Sequence, residues 1–396
     1  MKLKNIIGKF EGDKIIWIIV AILSIFSMIV IYSAASGLSD DLMKQNFLFY
    51  LRSHGFNLIL GFILIYVVHL VDFRWFSKFS KIGIVIGLIL LIATIAFGKE
   101  SNEAKRELFG IQTFYVVEFA VIVFLAQLIA KFGDEINDIK HKFLPLIGGI
   151  LFFTVLMMTQ NVSTSIIMFV TCFVMLFISQ LKKKIFFTTI IIFALFGTLF
   201  ISTNGLGIPG FNRFETVKNR IERFFVNTEM DLESHVKTIN PDNIRQEILA
   251  EGAIATGGIL PINGPGNSIY NNYLPQCYSD YIFAITIEEY GAIIGILLMV
   301  LYLILFFRVF QIVRSIKSHF GAYLVVGLGF LIVFQALIHI LVNVGLMPST
   351  GQTLPMFSWG GMSIMISSVC FGIILNISKE VKKEKKIKPN QSNTEE

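Results

Sequence analysis

The chain has 396 residues, 55% of them hydrophobic and 15% charged, with a formal net charge of +6 and a mean hydropathy of +0.72. A soluble fold of this length cannot hide that much apolar surface, so the composition excludes a soluble protein and predicts an integral membrane one. Long apolar runs between short polar breaks, rather than alternation, exclude a membrane barrel and predict an all-α polytopic fold.

In chain order, about ten transmembrane spans are predicted, at 15–34, 56–72, 82–98, 113–131, 143–160, 163–181, 185–203, 279–307, 321–346 and 355–377. The chain then divides into an N-terminal segment (1–14), spans 1–7 (15–203), a large loop (204–278), spans 8–10 (279–377) and a basic tail (378–396). The first apolar run follows Lys14 without a small-residue cleavage site and reads as a retained anchor rather than a signal peptide. Basic residues cluster before span 1 (Lys2, Lys4, Lys9, Lys14) and after spans 2, 4, 6, 8 and 10, as at Lys78, Lys140, Lys183, Arg314 and Lys382. By the positive-inside rule both termini are expected in the cytoplasm and 204–278 outside. Cys172, Cys277 and Cys370 are scattered, so neither a disulfide framework nor a thiolate metal site is expected. The chain holds no aromatic-basic module for nucleic acid, and its basic side meets anionic lipid instead.

The loop is not low-complexity. A short amphipathic helix is expected at about 244–255, ahead of the turns at Gly257-Gly258 and Gly264-Pro265-Gly266-Asn267-Ser268. Such a loop is either a surface connection or backbone held close to a ligand. At its end Asp280 meets an apolar helix at the membrane surface, where thinning water can fit a carboxylate for proton transfer; the alternative role is a helix cap.

Ionisable groups at membrane depth are costly and are functional candidates. Glu118, Glu288, Glu289, His339 and Arg52 qualify, with Asn343 as a polar companion. Read along one helix, Glu288 stands roughly 12 Å from Asp280, so the acids form a proton path, a cation site or a salt-bridge network. Glu118 is either functional or paired with a basic residue. His339 reads as a helix-helix hydrogen bond rather than a metal ligand, since no second ligand stands at i+4.

Lys105 and Arg106 precede span 4, and with Arg52 and loop arginines such as Arg220 and Arg223 they could line a positive outer cleft. Such a cleft suits a lipid-linked pyrophosphate; the alternative is a solvated rim. The stretch Asn343 to Ser363 holds two prolines and four glycines within its Gly345–Gly361 core and reads as non-helical backbone packed into a cavity.

Three blocks carry a family resemblance: Gly257-Gly258 with Gly264 to Ser268; Leu274-Pro275 with Ser279 to Ala284 and Glu288-Glu289-Tyr290-Gly291; and Asn343, Gly345, Pro348, Thr350-Gly351, Leu354-Pro355, Ser358, Gly360-Gly361 and Ser363. Over about residues 14–378 the chain resembles the SEDS cell-wall polymerases, which include FtsW, RodA and SpoVE, and is most similar to the FtsW division branch, with the RodA elongation branch as alternative. The amino-terminal half departs from the family: Glu107 stands where Trp is usual, and Tyr115-Val116-Val117-Glu118 replaces Gln-Pro-Ser-Glu.

The resemblance implies a peptidoglycan glycosyltransferase in the bacterial cytoplasmic membrane that polymerises lipid II on the outer face for septal wall synthesis in cell division. It implies Asp280 as the catalytic base. Lys105, Arg106, Arg52, Arg220, Arg223, Asn267, Ser268 and Ser358 would bind lipid II and its pyrophosphate, and Glu118, Glu288, Glu289, His339 and Asn343 would support them from within the membrane. A divalent cation, Mg or Mn, is a possible cofactor, with no metal ligands assigned. A class B penicillin-binding protein and other division proteins are the implied partners. Two rival classes stay open, a lipid II flippase and a non-catalytic scaffold.

Overall fold

The computed structural model describes residues 11–36, 47–101, 104–191, 241–260, 263–274 and 276–392. In chain order these form α1 (Lys14–Ser36), α2 (Phe47–Leu70), α3 (Arg74–Phe97), β1 (Lys99–Ser101), β2 (Ala104–Leu108), β3 (Ile111–Gln112), α4 (Thr113–Phe132), α5 (Leu144–Met158), α6 (Val162–Ile178), α7 (183–191), α8 (Pro241–Gly257), α9 (Ile282–Tyr290), α10 (Ala292–Ser315), α11 (His319–Asn343) and α12 (Gly361–Ser392). Among the described residues, eight helices are long and apolar enough to cross a membrane, and α6 is a shorter apolar helix. The multi-pass helical architecture follows. The seventh predicted span, 185–203, lies largely outside the described residues, as do Arg220, Arg223 and most of the large loop.

Local sequence explains several boundaries. The polar break between α5 and α6 is real: Asn161 caps α6, its side chain accepting from Thr164 N at 3.2 Å. Ser318 caps α11 in the same way, accepting from Gly321 N at 3.2 Å. Helix α8 begins at Pro241, where a missing N–H costs nothing, and extends a few residues beyond the expected amphipathic stretch.

Helices α4, α11 and α12 form the buried centre, while α2, α3 and α10 lie on the rim with most of their surface exposed, as lipid-facing helices are. Small residues bring α2 and α12 together. A Cβ on Gly372 would stand 2.7 Å from Val68, and one on Gly61 would stand 2.7 Å from the Ser368 hydroxyl. At the end of the bundle that holds Glu11, charged groups tie α1 to the later helices. Arg308 pairs with Asp13, Lys379 with Glu11, and Asp13 N donates to Ser378 Oγ at 2.8 Å.

The helical bundle carries one small addition, an antiparallel sheet of β1, β2 and β3 between α3 and α4. Two expected span boundaries need correction. The span read at 279–307 is two helices: α9 stops at Tyr290, and Gly291, at φ 81°, turns the chain into α10. Only glycine adopts that angle freely. The span read at 355–377 begins at Gly361 instead, because residues 345–360 remain irregular loop.

Candidate active site

Asp280 closes a tight turn. Its N–H and that of Ser279 both donate to Gln276 O at 2.9 Å, and Gln276 takes φ 56° to allow it. The Ser279 hydroxyl donates to Asp280 Oδ1 at 2.9 Å. Helix α9 starts two residues on with Tyr281 at its N-cap position and no side-chain cap, so the Asp280 carboxylate is not spent as one. The irregular loop before α12 braces this turn. Ser358 Oγ donates to Ser279 O at 2.7 Å and accepts from Leu354 N at 2.8 Å, and Trp359 N donates to Tyr278 O at 3.0 Å. Gly351 brings its backbone alongside; a Cβ there would stand 3.4 Å from Asp280 Oδ2. From α11, Asn343 Nδ2 donates to Asp280 O at 3.0 Å.

Glu288 and Glu289, fully buried on α9, do not continue a line of acids from Asp280. They hold the Gly264–Asn271 segment. Glu288 Oε1 accepts from Ile269 N at 2.7 Å and Tyr270 N at 3.2 Å, and Oε2 accepts from the Ser268 hydroxyl at 2.5 Å. Glu289 Oε1 accepts from Ser33 Oγ at 2.7 Å, and that oxygen accepts from Gly266 N at 2.5 Å. The loop glycines are therefore fastened by two carboxylates. Helix α8 lies against the same unit, so closely that a Cβ on Gly257 would fall 2.1 Å from Ile287 O.

The other predicted residues are dispersed. His339 Nδ1 bonds Gln352 O at 2.7 Å, a partner in the irregular loop before α12 rather than on a neighbouring helix; a carbonyl partner requires the proton on Nδ1. Glu118 is buried in α4, has no ion pair among the described residues, and leaves Oε1 without a hydrogen-bond partner. It lines a small cavity with Tyr115, Gln335, Ser363 and Ser367. Arg52 is exposed on α2, and Asn267 is exposed on the loop, donating to Asn263 O at 2.9 Å. Lys105 and Arg106 lie on β2. Among the described residues no group of three or more His, Cys, Asp or Glu side chains could hold a metal ion.

Sequence reasoning missed a ring cluster beside the turn. Tyr50 and Tyr278 stand 4.8 Å apart between centroids, and Trp359 lies 5.3 Å from Tyr50 and 5.4 Å from Tyr278. The three are half-buried and come from distant segments, so no spacing announces them; Tyr278 alone, two residues before Asp280, carried a local signal. Burial pushes the Tyr278 hydroxyl up, and the Cys277 thiol up to about 12. A second missed group is the chain of polar contacts from Tyr115 to Thr353 (3.4 Å), from Thr353 to Ser363 (2.7 Å) and from Gln335 to Thr353 O (2.9 Å). The arrangement offers a half-buried carboxylate on a braced turn, with aromatic faces nearby.

The chain is 29% identical over 392 residues to a probable peptidoglycan glycosyltransferase FtsW of Aliivibrio salmonicida, covering 97% of this chain and 92% of that one. It is 30% identical over 385 residues to stage V sporulation protein E of Bacillus subtilis, covering 94% and 98%. In fold it is similar to a chain of a peptidoglycan synthase complex that coordinates polymerization and crosslinking, at TM-score 0.72 and 19% identity, covering 93% and 98%. It is also similar to the rod shape determining protein RodA of Thermus thermophilus, at TM-score 0.63 and 18% identity, covering 93% and 97%. The family model of FtsW, RodA and SpoVE, described as cell cycle proteins, matches residues 13–383. With that match spanning the bundle and the whole Asp280 turn, the chain belongs to the FtsW/RodA/SpoVE family of cell cycle proteins.

Proposed function

We propose that this chain is a peptidoglycan glycosyltransferase that polymerises lipid II on the outer face of the bacterial cytoplasmic membrane, with Asp280 as general base. The observation that carries the reading is the Asp280 turn: a carboxylate braced through its backbone from α11 and from the loop before α12, and not consumed as a helix cap. The relatives' activity supports the reaction class.

In this reaction the 4-hydroxyl of an acceptor GlcNAc attacks the anomeric carbon of a donor MurNAc. The new glycosidic bond forms with inversion as the bond to undecaprenyl pyrophosphate breaks, and the hydroxyl proton passes to the Asp280 carboxylate. Lys105, Arg106 and Arg52, with Arg220 and Arg223 of the large loop, stabilise the departing diphosphate.

The charge alternation supports cytoplasmic termini and an outer position for Asp280. A class B penicillin-binding protein is the partner that cross-links the strands, and septal division is the process served. A flippase reading has less support: of the residues it would use along a headgroup path, Glu118, Glu288 and His339, the second is occupied by loop backbone and a hydroxyl and the third by the Gln352 carbonyl. The deciding experiment reconstitutes the purified chain and its partner with lipid II and measures glycan chains with and without the Asp280 carboxylate. Undiminished strands from the carboxylate-free chain would overturn the base assignment, and none from the intact pair would favour the scaffold.

A further inference from the structure

The segment between α3 and α4 folds back on itself. Strand β1 leaves the end of α3, and β2 runs antiparallel to it with Lys99 opposite Glu107. Continuing that register by two residues sets Phe109 level with Phe97, the last residue of an apolar spanning helix. The chain then reverses in a two-residue turn, since Leu108 pairs with Ile111. Phe109 has φ 52° and Gly110 φ 78°, the left-handed pair that a two-residue hairpin demands. Glycine suits that region, but a bulky aromatic there is a backbone outlier.

The tip is bare. Phe109 is 96% exposed, Phe97 83% and Ile111 45%. The tether keeps it close to the membrane end of the bundle: Phe109 is four residues from Thr113, the first residue of α4, so the extended chain allows at most about 14 Å between them. This is the Asp280 side of the bundle, because Tyr115 on the first turn of α4 meets Thr353, two residues from the Gly351 that flanks Asp280.

We propose that the Phe109–Gly110 turn is a membrane-inserted tip, its aromatic ring seated at the boundary of headgroups and acyl chains in the leaflet on the Asp280 side. Apolar rings at that level gain from burial in lipid as they cannot in water. The tip fixes the depth of β2, and with it Lys105 and Arg106, at the level of lipid headgroups. The insertion stands independently; its use in holding a lipid-linked diphosphate rests on the glycosyltransferase reading.

The test measures depth. Spin labels are attached at Phe109→Cys, Phe97→Cys and Lys99→Cys in the full chain, in nanodiscs of phosphatidylethanolamine and phosphatidylglycerol. Cys172, Cys277 and Cys370 are buried and will not compete for label. Collision with oxygen relative to a water-soluble nickel chelate should be several-fold higher at 109 than at 99, and should match the value at 97. Nickel access at 109 equal to that at 99 overturns the proposal. So does a label that stays in water until the transpeptidase is added, which would make the tip a protein contact. Phe109→Ser should raise the KM for lipid II several-fold in nanodiscs, leave kcat unchanged, and make little difference in detergent. An unchanged KM overturns the depth-setting role. Wild-type chain inactive on lipid II would instead overturn the reaction, with the depth result intact.

Discussion

Asn343 holds Asp280 by its main chain, not by its carboxylate. The Asn343 amide donates from Nδ2 to Asp280 O at 3.0 Å, and its Oδ1 accepts from Ala284 N at 3.0 Å. One side chain on α11 thus pins both the turn and the first turn of α9. Asn343→Ala should leave a buried donor and acceptor unpaired, each worth about 1–3 kcal/mol. We expect a lower melting temperature together with reduced glycan synthesis; a variant of unchanged stability would remove Asn343 from this role.

Asp280→Asn keeps the shape and the Ser279 bond but loses the proton acceptor. Polymerisation should fall by about 10²–10⁴-fold, the usual contribution of a general base, while melting and membrane insertion stay near wild type. The measurement is glycan chain formation from lipid II by the reconstituted pair. Full-rate synthesis would show that the carboxylate takes no proton.

Glu288 separates a clamp from a proton path. Glu288→Gln retains a carbonyl oxygen for Ile269 N and Tyr270 N and should keep most activity and stability. Glu288→Ala removes every acceptor at once and should destabilise the chain by several kcal/mol, at about 1–3 kcal/mol for each stranded buried donor. An inactive Glu288→Gln chain with normal melting would restore the proton-path reading.

Gly257→Ala should separate α8 from α9, since the new methyl would fall 2.1 Å from Ile287 O. Overpacking of this kind costs about 1–3 kcal/mol. Thermal unfolding of the detergent-solubilised variant checks it, and a wild-type melting temperature would mean that the two helices yield without strain.

Sidedness is open to cysteine labelling. Asn267→Cys, at an exposed loop position, should react with an impermeant maleimide from outside intact cells, and Lys183→Cys only after the membrane is opened. Cys277 gives no background, being buried with its thiol pushed up to about 12. The reverse pattern would invert the topology.

Most of the bundle was legible because apolar runs and basic exits are written at the length scale of a membrane. The break at Gly291 was not, because Ile282 to Phe307 reads as one apolar run and a single glycine inside a helix is usually tolerated. Glu288 and Glu289 do lie on the helix that follows Asp280; that their side chains turn to the Gly264–Asn271 segment is set by the tertiary fold, which no local spacing announces. The Asp280 turn itself was readable from its dense local motif. The Tyr50, Tyr278 and Trp359 cluster was not, since only the tertiary fold gathers residues so far apart in the chain. The hairpin before α4 was hidden by its short strands, two to five residues each.

The glycine joint between α9 and α10 has a mechanical meaning. Across it, Ala292 N donates to Gly258 O at 2.9 Å, so the head of α10 is hitched to the end of α8 rather than continued into α9. Bilayers differ in thickness by a few ångströms, and a rim helix such as α10 meets that mismatch by tilting. Were α9 and α10 one rod, every such tilt would swing Asp280 through an arc. With the joint, the lipid-facing rod can lean while the carboxylate keeps its station, insulating the chemistry from the thickness of the membrane around it.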